Sequence, residues 1–467
     1  MASILDSATS WQSADTDVEK AIEQTIRSAP DIRLNRINLL RFAAEHELDL
    51  AKTISGFLRA TQKGVFELSW NVVCNSCGGV LHAAGSLTNI DCGNYTCALC
   101  GSDCEPRLDE TVEVTFTVDP RVRKIQAHEP NTLPIWQYAR QCFWSSGSNL
   151  PDDIEPFVSE AVLDAFEVGP GASVERSIRL DAGTAVLFDL VTHSTRFLQM
   201  DGSASVQPQR ISITIEDIVH PTEHIRIAPG AVDLSIVNRT QQRVLPILWA
   251  VGPALERIVS GRLPVLTASR LMSHQSFRDL YGSGVLDVNQ RFKITSLSFL
   301  FIDLKESTQL YQVEGDLAAY DFVRAYFLLV QEVVSDQGGA VVKTIGDAVM
   351  ATFPTPVQCL AAALAMKDAL KGLNARRGGR VQSVRIGLHA GPCLAVVMNE
   401  RQDYFGQTVN IASRLQGISS DRILMTRALA DDGDVRAYLR SRSLEMESFK
   451  EKLRGIEDEF EVFAVRA

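Results

Sequence analysis

Between Val341 and Phe353 the chain reads VVKTIGDAVMATF, an apolar run broken by Lys343 and Asp347 on either side of Gly346. Few features limit a fold more, because ionised groups on buried sheet cost several kcal/mol unless partners meet them. The run reads as a hairpin that turns near Gly346. Upstream lies a continuous apolar strand, LSFLFID, ending in Asp303. A helix start follows, KESTQLY, with Ser307 and Thr308 in the first turn, where unpaired backbone N–H groups favour phosphate. The helical stretch from Tyr320 to Val334 stops at Gly338 and Gly339. After the hairpin, Thr355 and Pro356 begin a helix bearing Ala363, Met366, Leu370 and Leu373, and VRIGLHAG follows as a strand. Strand, two helices, hairpin, helix and strand describe an antiparallel-centred α/β sandwich with its own core.

Two constellations in this region carry chemistry. Asp303, closing the first strand, and Asp347, beside the hairpin turn, fall side by side in such a fold, and paired carboxylates hold divalent metal well. Alone they would read as solvated turn aspartates. The segment RQDYFGQTVNIASRL adds Asp403, and places Asn410 and Arg414 four residues apart. On a helix that spacing sets an amide and a guanidinium on one face, one turn apart. An arginine on the otherwise apolar face of IASRL calls for an anion.

The rest of the chain differs in character. With 467 residues, two or three domains are expected, and 45% hydrophobic with 22% charged residues is the balance of a soluble globular protein. No apolar run reaches membrane-spanning length and Met1 to Pro30 lacks a signal-peptide pattern, so a cytoplasmic protein without membrane contact is expected. Residues 1–70 show helical periodicity closed by a strand from Phe66 to Trp70, a winged-helix-like pattern. Residues 71–105 hold CNSC (74–77) and CALC (97–100), with nineteen residues between Cys77 and Cys97. That spacing lets Cys74, Cys77, Cys97 and Cys100 converge on one zinc, as in a zinc ribbon, with Cys92 and Cys104 as substitutes. Residues 106–264 alternate in polarity, first at Val112, Val114, Phe116 and Val118, and read as a β-sandwich. His220 and His224 in HPTEH are ordinary loop residues on this reading. Residues 265–293 form a linker helix running into YGSGVLD, and residues 294–467 make the last domain. A net charge of −11 and a second helix offering only Lys52, Arg59 and Lys63 argue against nucleic acid as a partner.

Residues 294–467 resemble the catalytic domain of the class III nucleotidyl cyclases, the adenylate and guanylate cyclase family. FLFIDLKEST, VVKTIGDAVMATF, VRIGLHAG and DYFGQTVNIASRL match its motifs in order. The preceding region resembles, more loosely, an uncharacterised module found before such domains in bacterial proteins. The resemblance implies a ferredoxin-like catalytic fold and two Mg²⁺ or Mn²⁺ ions on Asp303, Asp347 and the Leu304 carbonyl. It implies Lys343 and Asp403 as the pair that reads the base, Asn410 as the ribose contact and Arg414 as the phosphate contact. It also implies a homodimer whose active sites are shared, so that Lys343 and Asp347 serve different sites. Adenine's amino donor and ring acceptor complement an acceptor at Asp403 and a donor at Lys343, which makes ATP the expected substrate and adenylate cyclase the expected activity. The alternatives are a guanylate cyclase, or a silent cyclase-like module in a nucleic-acid-binding regulator. In KLRGIEDEFEVF, Lys452 or Arg454 either reaches the triphosphate or, more simply, the two are a solvated surface pair. The ligand or partner that regulates the first 290 residues is unspecified by the sequence.

Overall fold

The structure, a computed structural model, describes residues 16–216, 223–282, 284–377, 382–455 and 459–466. Two compact units divide the chain. One takes Met1–Gly85, Gly93–Glu105 and Glu113–Leu266, and the other takes Ser86–Cys92, Pro106–Val112 and Thr267–Ala467.

The first unit opens with helices α1 (Thr16–Ser28), α2 (Leu39–Glu45) and α3 (Leu50–Gln62). Asn38 starts α2 by accepting the N–H groups of Leu40 and Arg41, and Asp49 starts α3 by accepting that of Lys52. Strand β1 (Phe66–Val73) then pairs with β2 (Val80–Ala84), and β3 (Val112–Val118) completes a sheet in the order β2-β1-β3. The winged-helix expectation is not confirmed, since this unit consists mostly of strands. Sequence alternation placed Val112–Val118 in the sandwich, but the strand belongs to the β1 sheet. Its polar residues are buried too: Glu113 and Thr115 lie inside, with Asn71 donating to the Thr115 hydroxyl at 2.9 Å.

Beyond it run β4 (Val162–Ala165), β5 (Ser173–Leu180), β6 (Gly183–Asp189), β7 (Thr195–Met200), β8 (Gln209–Ile215), β9 (Glu223–Ile227), β10 (Gly230–Asn238) and β11 (Pro246–Ala250). They form sheets ordered β8-β10-β5 and β9-β7-β6-β11-β4. Leu187, Leu198, Ile213 and Leu234 meet between the two sheets in one core. On the other face of the larger sheet, Val186, Phe188 and Trp249 share a second core with Cys74, Cys77 and Cys97. His224 lies in β9 and stacks on Phe197 at 5.2 Å, so it is a strand residue and not a loop residue. His220 lies outside the described residues.

In the second unit α4 (Ala268–Met272) and α5 (Gln275–Tyr281) replace the expected linker helix. There follow β12 (Phe292–Leu304), α6 (Ser307–Glu314), α7 (Asp316–Asp336), β13 (Ala340–Ile345), β14 (Ala348–Phe353), α8 (Pro356–Arg377), β15 (Val384–Met398), β16 (Arg401–Phe405), α9 (Gln407–Ile418), β17 (Ile423–Thr426), β18 (Glu445–Lys452) and β19 (Glu459–Arg466). The sheet runs β13-β14-β12-β15-β17-β19-β18, with β16 on β15. It is mixed: β15 and β17 are parallel, while the hairpin β13–β14 and the pairs around β12 are antiparallel. One face buries Leu300, Ile302 and Ile386 against Phe322, Tyr326 and Val330 of α7 and Leu360, Ala363 and Met366 of α8. The other carries α9, whose Ile411 and Leu415 pack with Leu424 and Ala464. The helix can lie so close because Gly387 sits beneath it; a Cβ there would come within 2.3 Å of the Gln416 nitrogen.

Two short stretches from the expected zinc-ribbon and sandwich regions belong to this unit. Gln290 donates to the carbonyls of Leu87, Thr88 and Ile90, and the Asp109 carboxylate accepts the N–H groups of Thr295 and Ser296. Those last two residues lie where the ladder between β12 and β15 shifts register, so Asp109 satisfies backbone that the ladder leaves aside.

Candidate functional site

Asp303 is the penultimate residue of β12, and Asp347 follows Gly346 in the β13–β14 turn, where Gly346 takes a positive φ of 65°. The β12–β14 pairing brings Ile302 opposite Val349, so the ends that carry both aspartates adjoin. Burial, and then the Asp347 carboxylate beside it, push the Asp303 carboxyl up to about 6; Arg385, opposite it in the ladder, acts the other way. Gln416 of α9 donates to Asp303 Oδ2 at 3.1 Å. A carboxyl pushed up by burial and by an adjoining carboxylate fits a hard divalent cation, which relieves the repulsion through oxygen ligands. Leu304, next along β12, is buried.

Lys343 and Asp403 are also brought together. Lys343 Nζ lies 2.5 Å from Asp403 Oδ2, with the lysine side chain 39% exposed and the aspartate 8% exposed. Asp403 is fixed through its other oxygen, which accepts the Tyr404 N–H at 2.8 Å. Lys343 follows a bulge: Val341 pairs with Ala351 and Lys343 with Met350, so Val342 is an extra residue. A bulge re-aims the side chain beside it.

Helix α5 supports both strands. Arg278 Nη2 donates to the carbonyl of Val342 at 3.3 Å and to that of Gln402 at 2.9 Å, the residues just before Lys343 and Asp403. Gln275 accepts the Val341 N–H at 2.8 Å. Neither Arg278 nor Gln416 was singled out from sequence. Arg278 meets backbone carbonyls 64 and 124 residues away, contacts that leave no side-chain motif.

Asn410 and Arg414 lie one turn apart on α9, on its exposed side. The expectation of an arginine on an apolar face is corrected here: the buried face is Thr408, Ile411, Ala412 and Leu415, and Arg414 points away from it. Lys452 and Arg454 are exposed, Lys452 ending β18 at the opposite edge of the sheet from β13.

In the first unit the four cysteines converge. Sγ of Cys74 is 3.5 Å from that of Cys100, Sγ of Cys77 is 3.5 Å from that of Cys97, and all four lie within 4.8 Å of one another. Zinc–thiolate bonds of about 2.3 Å in a tetrahedron require separations near this. Two matching turns build the cluster. Gly78 N–H donates to Cys74 O and Gly101 N–H to Cys97 O, with φ of 76° and 70° at the glycines. Cys104 and Cys92 lie outside the cluster.

Comparison with known proteins gives two family matches. Residues 5–279 match a family described as Family of unknown function (DUF5939). Residues 290–455 match the Adenylate and Guanylate cyclase catalytic domain. Adenylate cyclase 2 of Rhizobium meliloti (strain 1021) is 33% identical over 131 residues, covering 26% of this chain and 36% of that protein. The adenylate cyclase of Anabaena cylindrica is 27% identical over 187 residues, 37% of each. This chain thus spans little more than a third of the length of these relatives. Among solved structures, the adenylyl cyclase CyaB from P. aeruginosa is 21% identical and covers 38% of this chain and 96% of that one, with a TM-score of 0.34.

Proposed function

The chain belongs to the family of unknown function DUF5939 and carries a class III cyclase catalytic domain, and from that premise we propose that it is an adenylate cyclase acting as a homodimer. The reaction joins the ribose 3′-oxygen of ATP to its own α-phosphorus, breaks the bond from that phosphorus to the bridging oxygen, and releases pyrophosphate and the hydroxyl proton. Asp303, Asp347 and the Leu304 carbonyl would hold two Mg²⁺ or Mn²⁺ ions, whose chemistry is to lower the hydroxyl's pKa and relieve phosphate charge. Gln416 orients the Asp303 carboxylate. Asn410 orients the ribose, and Arg414 offsets charge as it develops on the transferring phosphate.

The observation that carries the substrate is the pairing of Lys343 with the buried Asp403. Their ion pair presents one donor and one acceptor side by side, the complement of adenine's ring nitrogen and amino group. Guanine presents the reverse polarity. A buried carboxylate without its hydrogen-bond partner discriminates far more than a lost apolar contact does.

The dimer is supported by what the domain leaves outside. Arg414 and Asn410 face outward, and apolar Phe405 (63% exposed) and Ile345 (54%) lie exposed near Asp403 and the Asp347 turn. On this reading each site takes its metal aspartates from one protomer and Lys343, Asp403, Asn410 and Arg414 from its partner. Zinc on Cys74, Cys77, Cys97 and Cys100 completes the proposal, supported by the mutual distances of their sulfur atoms.

The test is cAMP and cGMP formation by the purified chain from ATP and GTP with Mg²⁺ and with Mn²⁺. Preference for ATP, lost in Lys343→Glu with Asp403→Cys, is the expected result. Unchanged ATP turnover in that double variant would reject the base-reading assignment, and a wild-type preference for GTP would make the chain a guanylate cyclase.

A further inference from the structure

The first unit holds a cavity of about 300 Å³ that none of the chemistry above uses. Its wall carries Arg33, Arg36, Arg41 and Arg140, against one acid, Glu45. Glu45 meets Arg41 at 2.7 Å and Arg33 at 3.4 Å, and Asp152 takes the Arg33 Nε at 3.1 Å. Four guanidinium groups thus face two carboxylates, which leaves an excess of two positive charges in a chain whose net charge is −11. Glu113, the other acid close to Arg36, is fully enclosed, and burial pushes its carboxyl above the ordinary range. Like charges gathered beside low-dielectric protein repel, and an arginine cluster of this kind persists most readily where an anion completes it.

Two buried residues of the same wall carry unpaired polar atoms. Trp144 is 2% exposed and Gln141 is 6% exposed, yet among the described residues neither the Trp144 indole N–H nor the Gln141 side-chain oxygen has a hydrogen-bond partner. Unpaired buried groups are costly, and here both lie on residues beside the arginines. The backbone there is also unusual. Ala139–Phe143, carrying Arg140 and Gln141, is a turn of π-helix, a rare form that recurs at functional sites. Side chains from the other wall hold this turn: Asn35 donates to the Gln141 carbonyl at 2.9 Å and Arg36 to the Cys142 carbonyl at 2.6 Å.

We propose that this cavity binds a small multivalent oxyanion, a carboxylate or a phosphate of metabolite size. The guanidinium groups of Arg33, Arg36, Arg41 and Arg140 take the oxyanion, for which their forked donors suit carboxylate and phosphate alike. The volume is that of a metabolite and not of a peptide.

The experiment is thermal unfolding of the full chain at low ionic strength, titrated separately with malate and with glycerol 3-phosphate, each against sodium chloride of matched ionic strength. The probe that fits gives a saturating rise of about 4 °C beyond the salt control, and which probe acts identifies carboxylate or phosphate as the source. In Arg140→Gln the rise disappears. Without ligand that variant melts at or above the wild-type temperature, because one of four clustered cations is gone. Should Arg140→Gln fail to fold, Arg41→Gln, on the partly exposed side of α2, reduces the rise instead. No rise beyond salt with either probe, or an undiminished rise in the folded variants, overturns the proposal.

Discussion

On the function proposed above, the two ends of the nucleotide site are prepared to different degrees in one chain. At the base end Lys343 and Asp403 are already paired, the aspartate is buried, and Arg278 ties both supporting strands. At the phosphate end Asn410 and Arg414 stand exposed on α9, although the same helix sends Gln416 inward to Asp303. Pre-pairing suits recognition, since a fixed donor and acceptor select a base without reorganisation. Outward display suits residues lent to another copy, where burial arrives with the partner.

The largest effect expected from breaking this arrangement is at the proposed metal ligands. Asp303→Asn is expected to lower cAMP formation by about 10²–10³-fold, as loss of a charge-stabilising group does in comparable sites. A variant that keeps most of its activity in a rate assay would remove Asp303 from the chemistry.

A smaller effect sharpens the account of the base end. Arg278→Ala leaves Lys343 and Asp403 in place but frees the strands that carry them, and is expected to lower kcat/KM for ATP about 10-fold and to narrow the preference over GTP. Steady-state kinetics with both nucleotides decides it. A merely structural role would shift the melting temperature and leave the ratio of the two substrates unmoved.

Cys97→Ser tests whether the difference between the two ends is independent of the first unit. The variant is expected to release about one zinc per chain and to lose several kcal/mol of stability while keeping its ATP preference. Metal analysis with thermal unfolding reads this, and a wild-type protein without zinc would contradict it.

The smallest effect concerns the sheet between the two ends. His389 on β15 is buried and its Nδ1 lies 2.6 Å from the Thr426 hydroxyl; burial lowers its pKa to about 4. A depressed folded-state pKa means stability is full above the unfolded value near 6.5 and falls as protonation favours the unfolded chain. His389→Gln is therefore expected to remove about 1 kcal/mol of the wild-type stability loss between pH 7.5 and pH 5.5. Identical pH dependence in chemical denaturation of the two proteins would refute it.

Much of the catalytic unit could be read from sequence because its constraints are local. An apolar run broken by Lys343, Gly346 and Asp347 has few solutions other than a hairpin, and the structure has that hairpin. Val112–Val118 was misplaced because alternation presupposes one wet face, whereas Glu113 and Thr115 are buried. The stretch before YGSGVLD looked like a linker because the partners of Gln275 and Arg278 are backbone groups far along the chain. Arg414 was set on the wrong face of its helix, since a four-residue interval fixes its relation to Asn410 and not to the core. The arginine cavity had no signature, its residues coming from 33–41 and from Arg140 without shared spacing.

The central claim is that each site is divided between two chains, and complementation tests it most directly. Asp303→Asn spoils one half-site and Arg414→Ala the other, so each variant alone is expected to be nearly inactive. In a mixed dimer both lesions fall in one site and the other is wholly wild type. With random pairing about half of the dimers are mixed and each has one good site, so roughly a quarter of wild-type cAMP formation is expected from the co-expressed pair. No gain over either variant alone, with mixing confirmed by differential tags, would contradict the shared site and place every catalytic residue within a single chain.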